Sequence, residues 1–211
     1  MPTNPDNELT SIEVLEGRIK TECRRAITGD NGSLPLYNSD LFIMGVASRT
    51  IANSSAFRSM TAAKNYMVAA ALVRLQLDTL ARLWACTIVE NMDEFCRAII
   101  DGGQIDKMFD RNGNKLTDRY LVRQLKEVIP TVEIVYEKTS GFVHLSGSHV
   151  FGTVNTVSED GVVSFLIGAT MPGISKENWT ELIGAFRHFT QAILGLILRW
   201  GEIKKEGLGG V

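Results

Sequence analysis

Apolar residues recur at helical spacing over most of the chain, and the longest such stretch runs from Asn65 to Ile100. It contains no Pro or Gly, is rich in Ala, Leu and Met, and is too long for a strand, so it predicts one long helix. Its first two-thirds is apolar on nearly every side, the pattern of a helix buried at the centre of a fold. Upstream, Ile12, Leu15, Ile19 and Cys23 mark a helix from about Thr10 to Thr28, ended by the breaker cluster Gly29-Asp30-Asn31-Gly32. A second helix, rich in small residues, starts with Asn38 or Ser39 as its cap and runs toward the central one.

Beyond Ile100 the pattern shortens. Gly102-Gly103 and Asn112-Gly113 predict turns around a brief helical piece at Gln104 to Phe109. Thr117 caps a short helix stopped by Pro130, and Thr131 begins another that runs to His144. The period then changes from helical to two. The turn Ser158-Glu159-Asp160-Gly161, flanked by alternating segments, predicts a β-hairpin at about 149–169, in which His149 starts the first strand. Gly173 and Ser175 open a last long helix, whose apolar face includes Trp179, Phe186, Phe189, Ile193 and Trp200. The fold expected is mainly α: a bundle of five to seven helices with one inserted hairpin. One domain spans residues 10–205, between a flexible arm at 1–9 and a flexible tail at 206–211.

Three charges interrupt the central apolar run at intervals of four: Arg74, Asp78 and Arg82. Such spacing stacks them in one line along the helix. A second line with the same spacing follows at Tyr136, Ser140 and His144. We expect the two lines to face each other, because a buried guanidinium or carboxylate needs partners and an unpaired one costs several kcal/mol. The arrangement has two readings. One is a polar network that fixes helix register. The other is a cleft in which His144 acts with Arg74 or Arg82, the arginine gripping an anion such as a phosphate. Asp78, Tyr136, Ser140, Ser146 and His149 are the accompanying binding candidates. His188, beside Arg187, is expected on the surface.

Composition narrows the function classes only slightly. Across 211 residues, 45% are hydrophobic, 22% are charged and the net charge is −2. These values suit a soluble globular protein and give no long-range attraction to nucleic acid or an anionic membrane. RNA is therefore not indicated by charge, although a local basic patch would leave it open as a partner. Cys23, Cys86 and Cys96 show no CxxC spacing and read as reduced thiols of a cytoplasmic protein. No secretion signal is expected at the start, and no membrane association is expected.

Motifs for common cofactors are absent: there is no GxGxxG after a strand, no Walker A, no GxSxG elbow and no HExxH. Asp110, Asn112 and Asn114 imitate the first three ligands of a calcium loop. Lys115 occupies the place of its glycine, however, and Leu121 that of its bidentate glutamate. Neither metal nor cofactor is expected.

The segments LVRLQLDTLARL and YEKTSGFVHLS resemble a diffuse group of uncharacterised bacterial all-helical proteins. Members share an Arg-x3-Asp/Glu helix and a later Tyr-x3-Ser-x3-His helix, matched here by Arg74, Asp78, Tyr136, Ser140 and His144. More remotely the chain is similar to the HEPN superfamily of toxin–antitoxin and abortive-infection defence systems. The resemblance implies a helical bundle and, in active members, a metal-independent RNase with an Arg-x(4–6)-His motif. At that spacing before His144 this chain has Glu137, Lys138 and Thr139. Before His149 it has Phe142, Val143 and His144, so an arginine would have to come from Arg74 or Arg82 through space. Three functions follow as expectations. The first is an accessory protein of bacterial defence or stress that works by protein–protein contact, as a homo-oligomer, most simply a homodimer. The second is an RNase or other hydrolase using His144. The third is a binder of small anionic ligands.

Overall fold

The computed structural model describes residues 5–28 and 35–208. The expected breaker at Gly29 to Gly32, and the outermost residues of the arm and tail, lie outside them. Among the described residues eight α-helices and one two-stranded antiparallel hairpin form a mainly α bundle, as the hydrophobic pattern predicts. The helices are α1 (Pro5–Thr28), α2 (Asn38–Ala62), α3 (Tyr66–Ile88), α4 (Met92–Ile100), α5 (Asp118–Lys126), α6 (Val132–Ser140), α7 (Gly147–Phe151) and α8 (Lys176–Leu208). The strands are β1 (Val154–Val157) and β2 (Val163–Phe165). α1 begins five residues before the expected Thr10, and α8 continues three residues beyond 205.

Four long helices build the core. α2 packs on α1 and α3, and α8 closes the ring against the same two helices. α5 and α6 cover the outer side of α3, and α4 rests on α2. At the centre the rings of Phe57 and Phe186 stack at 4.1 Å, joining α2 to α8. Such a pair contributes about 0.5–1.5 kcal/mol beyond the area it buries. α8 is long and apolar enough by composition to cross a membrane, but 44% of its most apolar stretch is buried in the bundle, as in a core helix.

The predicted central helix is two helices. Its chain turns at Val89–Asn91, where the Asn91 side chain accepts hydrogen bonds from Asp93 N and Glu94 N and starts α4. The end of α3 is held from a distant loop: the Arg111 side chain donates to the carbonyls of Thr87, Ile88 and Val89. Those carbonyls lack partners within the helix, and a guanidinium satisfies several at once. The start of α2 also differs from expectation. Asn38 and Ser39 do not cap it; Asn38 Nδ2 and Ser39 N donate to Asp93 on α4 instead. Asp40 takes Tyr37 N at 2.8 Å and closes the first turn.

Asp40 has a second role. Lys204 Nζ, near the end of α8, lies 2.7 Å from Asp40 Oδ2, and both side chains are almost wholly buried, at 4% and 0% exposure. Removing one member of such a pair strands the other charge in the core. Lys204→Met should therefore cost about 3–5 kcal/mol in denaturant unfolding, and adding Asp40→Leu should recover most of that loss.

Candidate functional site

The two polar lines meet. Arg74 and Asp78 of α3, Tyr136 and Ser140 of α6, and His144 in the turn after α6 line one cleft of about 500 Å³. Asp118, the first residue of α5, lines it with them. The charges are not sealed in the core as the apolar run suggested. Side-chain exposures are 13% for Arg74 and 19% for Asp78, both in the cleft wall, and 25% for Arg82, which lies behind it.

Their partners are mostly carboxylates. Arg82 Nε donates to Asp78 Oδ1 at 3.2 Å, the intrahelical contact expected at i,i+4. Arg82 Nη2 also donates to Asp118 Oδ1 at 2.7 Å, which draws Arg82 back from the cleft lining. Asp78 Oδ2 accepts Arg49 from α2 at 3.1 Å. Two carboxylates are thus shared among three guanidinium groups. Arg74 is the least satisfied of the three, with a long contact of 3.5 Å to Asp118. Its guanidinium lies 4.3 Å from the Tyr136 ring centre, a cation–π arrangement.

The remaining candidates divide. Ser140 turns its hydroxyl to its own helix, donating to Tyr136 O at 2.7 Å, so it accepts nothing from α3 in the way expected. His144 is exposed at the mouth. Ser146 and His149 lie outside the cleft lining and cap α7: Ser146 Oγ accepts Ser148 N, and His149 Nδ1 accepts Ser146 N at 3.3 Å. His149 is therefore helical, because this local capping box takes its imidazole before the strand begins. His188 is exposed, as expected. Among the described residues no cluster of His, Cys, Asp or Glu could hold a metal ion.

Asp118 and Arg49 were missed by the sequence reading. Asp118 follows the cap Thr117, where an acidic residue complements the helix dipole and carries no other message. Its position is fixed by the loop before it. Asp110 accepts hydrogen bonds from Asn112 N, Asn114 N, the Asn114 side chain and the Tyr120 hydroxyl, which ties the loop to the first turn of α5. The calcium-like spacing is thus a hydrogen-bonded turn organised by one carboxylate.

No known protein family matches the chain, and no curated protein and no solved structure matches it either. What can be said of the cleft therefore rests on its own chemistry. It holds one incompletely paired arginine, a tyrosine face, a solvent-facing imidazole and two carboxylates in a shared lining. That set can bind a compact anion if Asp118 does not fill the arginine's donors first.

Two predictions follow from this geometry. Asp118→Ala removes a competing carboxylate from Arg74 and Arg82. It should tighten inorganic phosphate binding about fivefold, or roughly 1 kcal/mol by titration calorimetry; an unchanged affinity would mean that the cleft holds no anion. The second concerns acid stability. Burial works against charge on Asp110, but the hydrogen bonds from Tyr120, Asn114 and Asn112 outweigh it and hold its carboxyl at about 2 in place of the ordinary 3.8. A depressed folded-state value stabilises fully above about pH 3.8 and loses its contribution as pH falls toward 2. Circular dichroism at acid pH should show a shallower loss of stability through this window in Asp110→Asn than in the parent chain.

Proposed function

We propose that this is a helical-bundle contact protein that self-associates through its hairpin. One observation carries the reading: the hairpin is amphipathic and turns its apolar face to solvent. Val157 pairs with Val163 and Val154 with Phe165, while Thr156 faces Ser164 on the polar side. Val157, Val163 and Phe165 are all exposed, and Ile167, just after β2, is 92% exposed. Neither strand packs extensively on a helix. An isolated two-stranded sheet is marginal in water, and both of its edges are open to pairing.

A second copy of the chain supplies what is missing. Antiparallel pairing of two identical edges about a twofold axis is self-complementary and extends two strands to four. The same axis, perpendicular to the sheet, sets the two apolar faces side by side as one continuous patch. The resemblance of the Arg74–Asp78 and Tyr136–Ser140–His144 segments, remotely, to the HEPN superfamily is what suggests a cytoplasmic setting in bacterial defence or stress, where such a protein acts on others by contact. A second reading, an anion-binding cleft, is favoured by Arg74, whose donors are incompletely used.

Light scattering coupled to size exclusion tests the first reading. At tens of micromolar the chain should run as a dimer, and Val157→Asp with Phe165→Ser should make it monomeric with unchanged helical dichroism. A monomeric parent chain, or a variant with the parent's mass, would defeat the proposal.

A further inference from the structure

Two cavities, of about 390 and 500 Å³, abut along α8 and form one trough. They share His188, and on the other wall Ile129 of the first and Thr131 of the second are separated only by Pro130. α3, which packs on α5, α6 and α8, is the floor, with Leu80 and Trp84 under the first cavity and Tyr66 and Ala70 under the second. The trough shares no residue with the polar cleft or with the strands of the hairpin.

Its two halves differ in polarity. The wall of the first has no Lys, Arg, Asp or Glu; Trp84, Leu125, Val128 and Leu196 make most of it. The wall of the second carries Lys138, Glu181 and Arg187. Arg187 is held by Glu8 of α1. Lys138 is the cation that can change partner. It reaches across the mouth from α6 to Glu181 of α8 at 3.4 Å, with the two side chains 67% and 69% exposed. A pair so open to water is worth little, so an anion in the trough can take Lys138 from it at small cost.

Shape selects the occupant. The helical rise of about 1.5 Å per residue puts His188 and Leu196 about 12 Å apart, so the apolar half is about 30 Å² in cross-section. A helix, about 10–12 Å across with its side chains, needs roughly 80 Å² or more. An extended peptide is narrower, but its N–H and C=O groups need partners, and His188 and Gln191 are the polar side chains that open to this half. An alkyl chain needs neither the width nor the partners. Gly195 leaves it room, since nothing lies within 4 Å of the place a Cβ would take there.

We propose that this trough binds a long-chain aliphatic carboxylate, whose chain lies along Trp84 and Gly195 and whose head takes Lys138 from Glu181. An uncharged wall at one end and an exchangeable cation at the other match the two ends of such a molecule. Burial of the chain supplies the affinity, and the lysine sets the sign of charge that the head must carry.

The test uses the full chain with dodecanoate, octanoate and dodecyltrimethylammonium, each below its micelle concentration. Binding is followed by titration calorimetry and by the indole signals of Trp84 and Trp200 in 15N-labelled protein. Dodecanoate should saturate a single site, moving the Trp84 signal and leaving that of Trp200, which lies outside the trough, in place. Octanoate, with its shorter chain, should bind about tenfold more weakly or worse. The ammonium probe, with the same tail and the opposite charge, should also bind more weakly than dodecanoate. Gly195→Phe fills the apolar half and should abolish binding, and Lys138→Glu should weaken dodecanoate severalfold. Both positions are exposed, so neither substitution touches the core, and helical dichroism checks that the fold is kept. Absence of dodecanoate binding overturns the proposal, as does equal binding of the two dodecyl probes or binding that survives Gly195→Phe. A Trp84 signal that answers to protein concentration and not to dodecanoate would also overturn it, since a second copy would then cover the trough.

Discussion

The bundle is registered by one amide. Gln76 is fully buried on α3; its Oε1 accepts Asn53 Nδ2 of α2 at 3.1 Å, and its Nε2 donates to Thr190 Oγ1 of α8 at 2.9 Å. Thr190 in turn donates to Phe186 O, the backbone of the residue whose ring stacks on Phe57. A buried amide left with one side unmatched costs about 1–3 kcal/mol, so α2 and α8 cannot slide along α3 without penalty. The rotation of α3 follows. Residues two apart on a helix stand on opposite sides, about 200° apart at 3.6 residues per turn. With Gln76 inward, Arg74 and Asp78 must point outward, where α5 and α6 meet them. The polar cleft is a consequence of that inward amide.

Charge is handled in two ways in this fold. At the cleft, two carboxylates divide themselves among three partly solvated arginines, and each contact is individually weak. At the other site one lysine and one aspartate are removed from water together. The first arrangement tolerates rearrangement around a ligand. The second resists it, and so holds the end of α8 on the start of α2.

Helix positions were legible because burial on one side leaves a periodic trace, and the hairpin was legible because its turn demands Gly161 at positive φ. The facing of the two polar lines was also readable from their common spacing of four. Other features left no local trace. The break after α3 depends on Arg111, more than twenty residues away, and on an asparagine cap inside an otherwise helical pattern. Asp118 looked like an ordinary first-turn acid, although it joins two arginines of another helix. His149 sits next to an alternating segment, and only the hydrogen bond from Ser146 shows why it is helical. The pairing of Asp40 with Lys204 depends on two helix ends meeting, which no stretch of sequence contains.

The two fastenings of α8 are very long in sequence: 114 residues separate Gln76 from Thr190, and 164 separate Asp40 from Lys204. Both wait for α8, which leaves the ribosome after the other described helices. Until then α1 and α3 present the apolar faces that α8 later covers, and the groups of Gln76 and Asp40 destined for α8 remain available to water. α1, α2 and α3 can form early as separate helices, but their registration waits until α8 has been made. A nascent chain stalled before Lys176 would be a collection of amphipathic helices with exposed apolar faces, the kind of species that chaperones hold.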